Sequence, residues 1–321
     1  METGTESGYL HPSYADALSE FGHPRPLVQS GGWILERPIP GTEARDAMGC
    51  YPLFSCCDWS LLNDDVEGLG RELVSLVLVA DPFGDFSKEL LRATFPDLVI
   101  PFKEHFVADL RQPASAFVSK HHQYYARKAL ETVSVEPHDN PAGMLDEWSG
   151  LYDLLVERHQ LTGIKAFSRT SFAKQLSVPG LTILRATHKG QTVGAHLWYV
   201  QGDVAFSHLT ASNELGYKLM ASYALSWRAL EYFAGKTRWI DWGAGAGLDS
   251  FGGDGLTQFK RGWANTTRPA YLCGRIFDHP KYEELSRTKG LAGSQYFPSY
   301  RQGELVAVGA IKTAASHQVK R

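Results

Sequence analysis

The sequence predicts an α/β (α+β) chain with mixed, mostly antiparallel sheets flanked by helices. Three observations carry that expectation. Residues 73–80 (LVSLVLVA) form a nearly continuous apolar run, the pattern of a strand covered on both faces. Residues 181–211 hold three β-branched and aromatic runs separated by Lys189-Gly190 and Gln201-Gly202, the pattern of an antiparallel meander. Met144, Trp148, Leu151 and Leu155 recur at helical spacing and set an apolar stripe on one helix face.

The elements follow in order. Residues 1–32 scatter Pro and Gly and read as loop. After the buried strand, DPFGD breaks the chain and Ser87 is placed to cap a helix over Lys88–Ala93. Leu98–Leu110 alternates as a strand. Residues 115–131 (SAFVSKHHQYYARKALE) read as one helix, with Phe117, Tyr124, Ala126 and Leu130 apolar among basic and polar positions. Gly and Pro thicken around His138–Gly143, which sets a boundary near residue 137 between units 1–137 and 138–321. In the second unit a short helix around Ser171–Leu176 precedes the meander. A long helix from about Leu215 to Phe233 follows it. Then come a strand over Arg238–Trp242, a glycine loop, a short helix near Gly255–Arg261, a strand over Ala270–Phe277 and a helix near Tyr282–Arg287. No element is assignable from Tyr296 onward.

Composition bounds the function. With 321 residues, 43% of them hydrophobic and 12% aromatic, the chain can fill one large core or two medium ones. A formal charge of -3 argues against a general nucleic-acid coat or a polybasic membrane binder, so any anion must meet a local basic cluster. The longest apolar run, Val74–Ala80, is too short to span a membrane, and METGTESGYLHPSY has neither the basic start nor the apolar stretch of a leader. Cys50, Cys56, Cys57 and Cys273 lack the paired spacing of a zinc site and read as free thiols in a reducing compartment. The expectation is a soluble cytoplasmic protein with no metal and no membrane span.

Trp239-Ile240 runs into Asp241 and then into Gly243, Gly245 and Gly247, as the cofactor loop of a methyltransferase or dinucleotide-binding domain would. Such a domain needs several further βα units after its loop. The residues beyond Gly247 offer only one short helix, one strand and one further helix, and an antiparallel meander precedes the loop. The glycines are better read as a tight strand exit where backbone approaches a ligand or a neighbouring strand.

The order of helices, meander, long helix, strand, short helix and strand is similar to that of the GNAT acyltransferase superfamily. Residues 254–263, DGLTQFKRGW, resemble the G-L-x-x-F-K-x-G-F/W signature of its FemAB-like branch, the peptidoglycan-bridge aminoacyltransferases and their polysaccharide-biosynthesis relatives. Residues 108–131, ADLRQPASAFVSKHHQYYARKALE, resemble that branch's strand ending in D-L and its basic helix S-K-x-x-R-x-x-I-R-K-A. The resemblance covers residues 100–277. It implies two GNAT-like units in tandem and an acyltransferase that moves an aminoacyl or acyl group to an amine. Aminoacyl-tRNA or acyl-CoA would be a co-substrate, with no tightly bound cofactor. The acceptor would be a small-molecule or nucleotide-linked amine, with tRNA a possible partner. One departure is clear: SNELGYKLMAS keeps Gly216 but lacks the second glycine of an acyl-CoA pyrophosphate loop. Gly216, Tyr217 and Lys218 mark where such a loop would lie. The alternatives are an acyl-CoA N-acyltransferase acting on a sugar or small metabolite, and a GNAT-like body that binds a ligand without chemistry.

Acyl transfer to an amine needs a proton removed, two reactants aligned and an oxyanion stabilised. Lys260 in the FKRG motif is the candidate for the oxyanion; without that role it is a surface lysine beside Arg261. Asp241 could accept the amine's proton or cap the glycine turn. His196 and His208 lie on neighbouring meander strands; a two-residue turn would aim them at opposite faces and a three-residue turn at one face. A satisfied core histidine is the other reading of each, and His208 is the further catalytic candidate. Lys120, His121, His122, Arg127 and Lys128 offer charge-assisted contacts to phosphate, or form a solvated helix face. Of these, Lys120, Arg127 and Lys128 are the substrate-binding candidates, with Phe259 and Trp263 of the motif and Asp58-Trp59 on the acceptor side. Packing of Tyr51, Phe54 and Trp59 is the other reading of that last region.

Overall fold

In the computed structural model, which describes residues 6–245, 255–291 and 293–304, the N-terminal stretch is structured rather than loop. Helix α1 (Pro12–Ala17) leads into β1 (His23–Leu27), β2 (Gly32–Pro38) and β3 (Arg45–Gly49). Strand β1 carries Pro24 and Pro26 and lies at the sheet edge, the one place where missing N–H groups cost no ladder bond. That is why its sequence reads as loop. Helix α2 (Leu62–Gly68) precedes β4 (Ser75–Ala80), the expected buried strand. Ser87 caps α3 (Lys88–Thr94) by accepting from Leu90 N–H, and β5 runs Leu98–Asp109.

The single helix expected over residues 115–131 is two. Helix α4 (Ala114–Phe117) ends at extended Val118, and Ser119 then caps α5 (Lys120–Leu130) through His122 N–H. Tyr124, assigned to the apolar side, is 54% exposed. Strand β6 (Ser134–Pro137), α6 (Leu145–His159) and α7 (Arg169–Gln175) lead to the meander of β7 (Leu181–His188), β8 (Gln191–Gln201) and β9 (Val204–Ser212). Its antiparallel pairing is as the alternation predicts, with register shifts at Ala186/Thr187 and Leu197/Trp198 and with the second turn at Gly202-Asp203 rather than Gln201-Gly202. The long helix after it is also broken. Met220 adopts φ 57° and separates α8 (Glu214–Lys218) from α9 (Ala221–Phe233). Strand β10 (Trp239–Asp241), α10 (Gly255–Arg261), β11 (Thr266–Ile276) and α11 (His279–Thr288) complete the order. Strand β11 begins before the expected Ala270 because Thr266 and Thr267 already pair with β5.

Among the described residues these strands form one 11-stranded sheet, ordered β1-β2-β3-β4-β11-β5-β10-β9-β8-β7-β6. The two units expected on either side of residue 137 thus share a sheet, and β11 from the C-terminal stretch lies between β4 and β5. Helices cover both faces. One layer packs Trp148, Tyr152 and Phe172 of α6 and α7 against Ile183, Leu197, Tyr199 and Phe206. The opposite layer packs α5 and α9 against Trp198, Ile240, Trp242 and Trp263. Residues 299–301 dock the chain's later part on β3, where buried Arg301 grips Asp46 with two bonds of 2.8 and 2.9 Å. All four cysteines are free, and no described helix is long and apolar enough to cross a membrane.

Candidate functional site

The sheet opens at its centre. Strand β10 runs parallel to β9 over three residue pairs, Trp239–Val204, Ile240–Ala205 and Asp241–Phe206. Beyond Asp241 the chain stays with β5 instead, through Trp242 N–H to Phe106 O (2.9 Å) and Phe106 N–H to Gly243 O (3.1 Å). Among the described residues, β9 continues to Ser212 bonded only to β8, and a wedge opens between Ser207 and Gly243. A bulge at Leu197/Trp198 puts one extra residue, His208, into β9 at the same level.

A cleft of about 1790 Å³ passes this wedge and draws its lining from both sides of the sheet. Tyr51, Tyr152, Phe167, Phe206, His105 and Asp241 line it on the side of α6 and α7. His196, Ser222, Ser226, Trp242, Phe259 and Lys260 line it on the side of α9 and α10. Two reactants can therefore approach from opposite faces and meet at the wedge.

The FKRG helix stands at that opening. Lys260 Nζ donates to Ala244 O at 2.7 Å, and a Cβ placed on Gly243 would sit 3.1 Å from Nζ. Gly243, at φ 73°, makes the left-handed turn that carries the chain away from β9. Its N–H is held by Asp241 Oδ1 at 2.7 Å, so Asp241 does cap the glycine turn. Its other oxygen, Oδ2, lies 2.8 Å from His105 Nδ1 on β5. Of the three glycines in the loop, Gly247 lies outside the described residues, as does Asp254 at the start of the second motif.

The two sequence motifs meet physically. His122, in the basic helix, donates from Nε2 to Phe259 O at 2.9 Å, because a carbonyl can only accept. Its Nδ1 then accepts from Ser119 Oγ at 2.7 Å, and burial lowers its pKa. Ser119 N–H also bonds Gly262 O at 3.0 Å. A Cβ on Gly262 would fall 2.2–2.5 Å from the His122 ring, so the glycine of FKRGW is required by the imidazole lying on it. The aromatic residues of this joint, Tyr223, Phe259 and Trp263, pack around the same ring.

The other sequence candidates divide. Phe259 lines the cleft, whereas Trp263 is 0% exposed and belongs to the core. Lys120, Arg127 and Lys128 are exposed on α5, outside the cleft lining, and make no ion pair among the described residues. Asp58 caps the turn at Ser60, and Trp59 is buried between Phe54 and Phe86; neither reaches the cleft. The Gly216 amide is taken by Asn213 Oδ1 at 2.8 Å, and a Cβ there would come within 2.1 Å of Val193 O. That glycine serves helix capping and packing. Tyr217 lines the cleft and carries Arg158 3.9 Å over its ring, while Lys218 is exposed beside Glu214.

The two meander histidines face opposite ways, as the two-residue turn predicts. His208 lies in an aromatic nest of Tyr9, Tyr14, Phe167 and Tyr199. Ala17 O accepts from Ser171 Oγ, so Ser171 accepts from Gln175 Nε2, and Gln175 Oε1 in turn accepts from His208 Nε2. Nδ1 then accepts from Tyr9 O–H at 3.1 Å. Both nitrogens are used, and burial pushes the pKa down to about 3. This imidazole is fixed in its neutral form by structure. His196 stacks 4.1 Å from Trp198 and bonds Ser207 Oγ at 2.8 Å; its Nδ1 has no partner among the described residues. His105 and Ser207 were not singled out from sequence, and His196 was weighed but not selected, because a polar residue in an alternating strand carries no local mark of its depth.

No family model matches the sequence, and no curated protein matches it. Solved structures match in fold. The crystal structure of FemX superposes with TM-score 0.64 at 13% identity, covering 88% of this chain and 95% of that one. The C-terminal domain of a putative lysylphosphatidylglycerol synthetase from Agrobacterium fabrum gives 0.58 at 15% identity over 89% and 94% of the two chains. L-PGS from Bacillus licheniformis gives 0.54 at 14% identity over 86% and 94%. The chain shares its fold with FemX, with this synthetase domain and with L-PGS.

Proposed function

We propose that this chain is an acyltransferase that moves an aminoacyl or acyl group from an activated ester or thioester to an amine. The observation that carries the proposal is the wedge between β9 and β10, open to both faces of the sheet with Lys260 at its edge. Transfer without a covalent enzyme intermediate needs the acyl carbonyl and the amine in one place, brought from two directions. Pinned at Ala244 O, the Lys260 ammonium is positioned for charge that develops on the carbonyl oxygen.

An aminoacyl donor such as aminoacyl-tRNA is favoured over acyl-CoA by two points. The Gly216 amide that would serve a pyrophosphate loop is occupied by Asn213. The fold is shared with a lysylphosphatidylglycerol synthetase domain. In this reading the donor is a mobile co-substrate, the acceptor is a small-molecule or nucleotide-linked amine, and the reaction belongs in the cytoplasm.

The test has two steps. Thermal unfolding is followed with CoA thioesters, aminoacyl-tRNA, nucleotide-sugars and S-adenosylmethionine; a ligand at ~100 times its dissociation constant adds about 2.7 kcal/mol. Transfer is then assayed with the donor that stabilises. Lys260→Met, which keeps the apolar stem, is expected to lower turnover ~100- to 1,000-fold with little change in affinity. Stabilisation by S-adenosylmethionine alone, or wild-type kinetics in Lys260→Met, overturns the reading.

A further inference from the structure

We infer that His105 is the general base of this site and that Asp241 is the residue that positions it; the inference rests on the acyl-transfer reading above. Asp241 is 1% exposed, and each of its oxygens has a defined task. Oδ1 accepts from Gly243 N–H, and Oδ2 faces His105 Nδ1 at 2.8 Å. A carboxylate accepts, so Nδ1 carries the proton and donates it. The lone pair of the neutral ring is thereby placed on Nε2. That nitrogen has no hydrogen-bond partner among the described residues, is not one of the fully enclosed unpartnered atoms, and belongs to a side chain that lines the cleft. It is the basic atom offered to whatever lies there.

The other imidazoles of the cleft lack this arrangement. Both nitrogens of His208 are bonded, and the Nε2 of His196 is taken by Ser207 while its Nδ1 is enclosed. His23 and His159 are exposed and have no carboxylate partner among the described residues. Among the described imidazoles of the cleft, only His105 combines a carboxylate acceptor on one nitrogen with an open second nitrogen. It also stands on the strand to which the chain stays bonded as the wedge opens, on the face opposite the α9 and α10 layer.

The proton inventory closes. His105 Nε2 takes one proton from the acceptor ammonium, R–NH3+, and the imidazolium formed is stabilised by Asp241. The neutral amine forms a C–N bond to the acyl carbon, and the carbonyl electron pair moves to oxygen. Collapse of that oxyanion breaks the C–O or C–S bond. The second nitrogen proton passes to the departing alkoxide or thiolate, and His105 releases its proton to solvent. The products are an amide, a neutral leaving group and one free proton.

The test compares two acceptors with the same donor. Wild type, His105→Gln and Asp241→Asn are assayed with n-butylamine, which must lose a proton, and with hydroxylamine, which is already neutral at pH 7. General-base loss typically costs ~100- to 10,000-fold. That loss is expected for His105→Gln with n-butylamine, against no more than ~10-fold with hydroxylamine. Equal losses with both acceptors, or none, overturn the assignment while leaving acyl transfer standing. A wild type that transfers to neither acceptor from any donor fails the acyl-transfer reading itself. Nitrogen-15 spectra of the full histidine-labelled chain read the dyad without turnover. They are expected to show His105 protonated on Nδ1 when neutral, and Asp241→Asn to shift it toward Nε2–H. A wild-type His105 protonated on Nε2 removes the base.

Discussion

His208 and His105 are both buried imidazoles on central strands of one sheet, and they differ in a single respect. His208 ends a chain of bonds, Ala17–Ser171–Gln175–His208–Tyr9, in which every donor and acceptor is used. His105 has one nitrogen held by Asp241 and the other open to the cleft. A fully satisfied polar group has its free energy invested in the fold and offers a substrate nothing. A half-satisfied one at a cavity wall keeps its chemistry available. The sequence ranks them the other way, with His208 as the catalytic candidate and His105 unremarked, because satisfaction is a property of contacts distant in the chain.

The largest expected effect follows from filling the His208 site with a ring that cannot bond. His208→Phe leaves Tyr9 O–H and Gln175 Oε1 unpaired, each costing about 1–3 kcal/mol. Denaturant unfolding should show a loss of about 2–6 kcal/mol, while turnover per folded molecule stays near wild type. A folded variant with turnover reduced 100-fold would dissolve the distinction between the two histidines.

The same substitution changes the acid limb of stability. Burial holds the His208 pKa down at about 3, whereas the unfolded chain takes up that proton near ~6.5. Below ~6.5 the unfolded state therefore binds a proton that the native state refuses, and wild type loses about 1.4 kcal/mol per pH unit from this group down to ~3. Asp81 acts with opposite sign. Burial raises its pKa to about 6, so the native carboxyl protonates first and acidification favours the fold until the unfolded carboxyl titrates near ~3.9. Asp81 is common to both proteins and cancels in the difference. The stability gap between wild type and His208→Phe should thus shrink as pH falls from ~6.5, at about 1.4 kcal/mol per unit. A gap independent of pH would mean that His208 titrates normally.

A third imidazole sharpens the comparison. His122 is satisfied like His208, yet it joins the two motifs that the sequence makes visible. Gly262→Ala drives a methyl into its ring, and such overpacking typically costs 1–3 kcal/mol. His122→Ala in the same chain should recover part of that loss, a coupling that a double-mutant cycle measures. Strict additivity would show that the ring and the glycine do not press on each other.

Much of the fold was legible because its patterns are local. The meander needs only alternation and turns, α6 only a spacing, and the two motifs only their letters. Three features were not local. Strand β1 is written HPRPL and is a strand because β2 lies beside it. Strand β11 separates β4 from β5, a pairing that no window of sequence contains. The break at Met220 is held by a left-handed backbone in a residue type that favours helix. The site divides the same way. Lys260, Asp241 and Phe259 were marked by motif and strand end, while His105 is known only through its contact with Asp241. Gly216 carried a signature but its amide is consumed locally.

The smallest effect tests the region where charge is neither satisfied nor at the cleft. Lys120, Arg127 and Lys128 are exposed on α5 with no ion pair among the described residues, so replacing Arg127 and Lys128 with Ala should change stability by no more than ~0.5 kcal/mol. Transfer from a small donor should not change, since neither side chain lines the cleft. A polyanionic donor is different, because each phosphate left without its cation flattens the salt dependence of single-strand binding by ~0.7 in log-log slope. For aminoacyl-tRNA the double variant should therefore bind less tightly, with a slope shallower by about 1–1.5. An unchanged slope would leave α5 with only its buried face, where His122 holds the FKRG helix at the wedge.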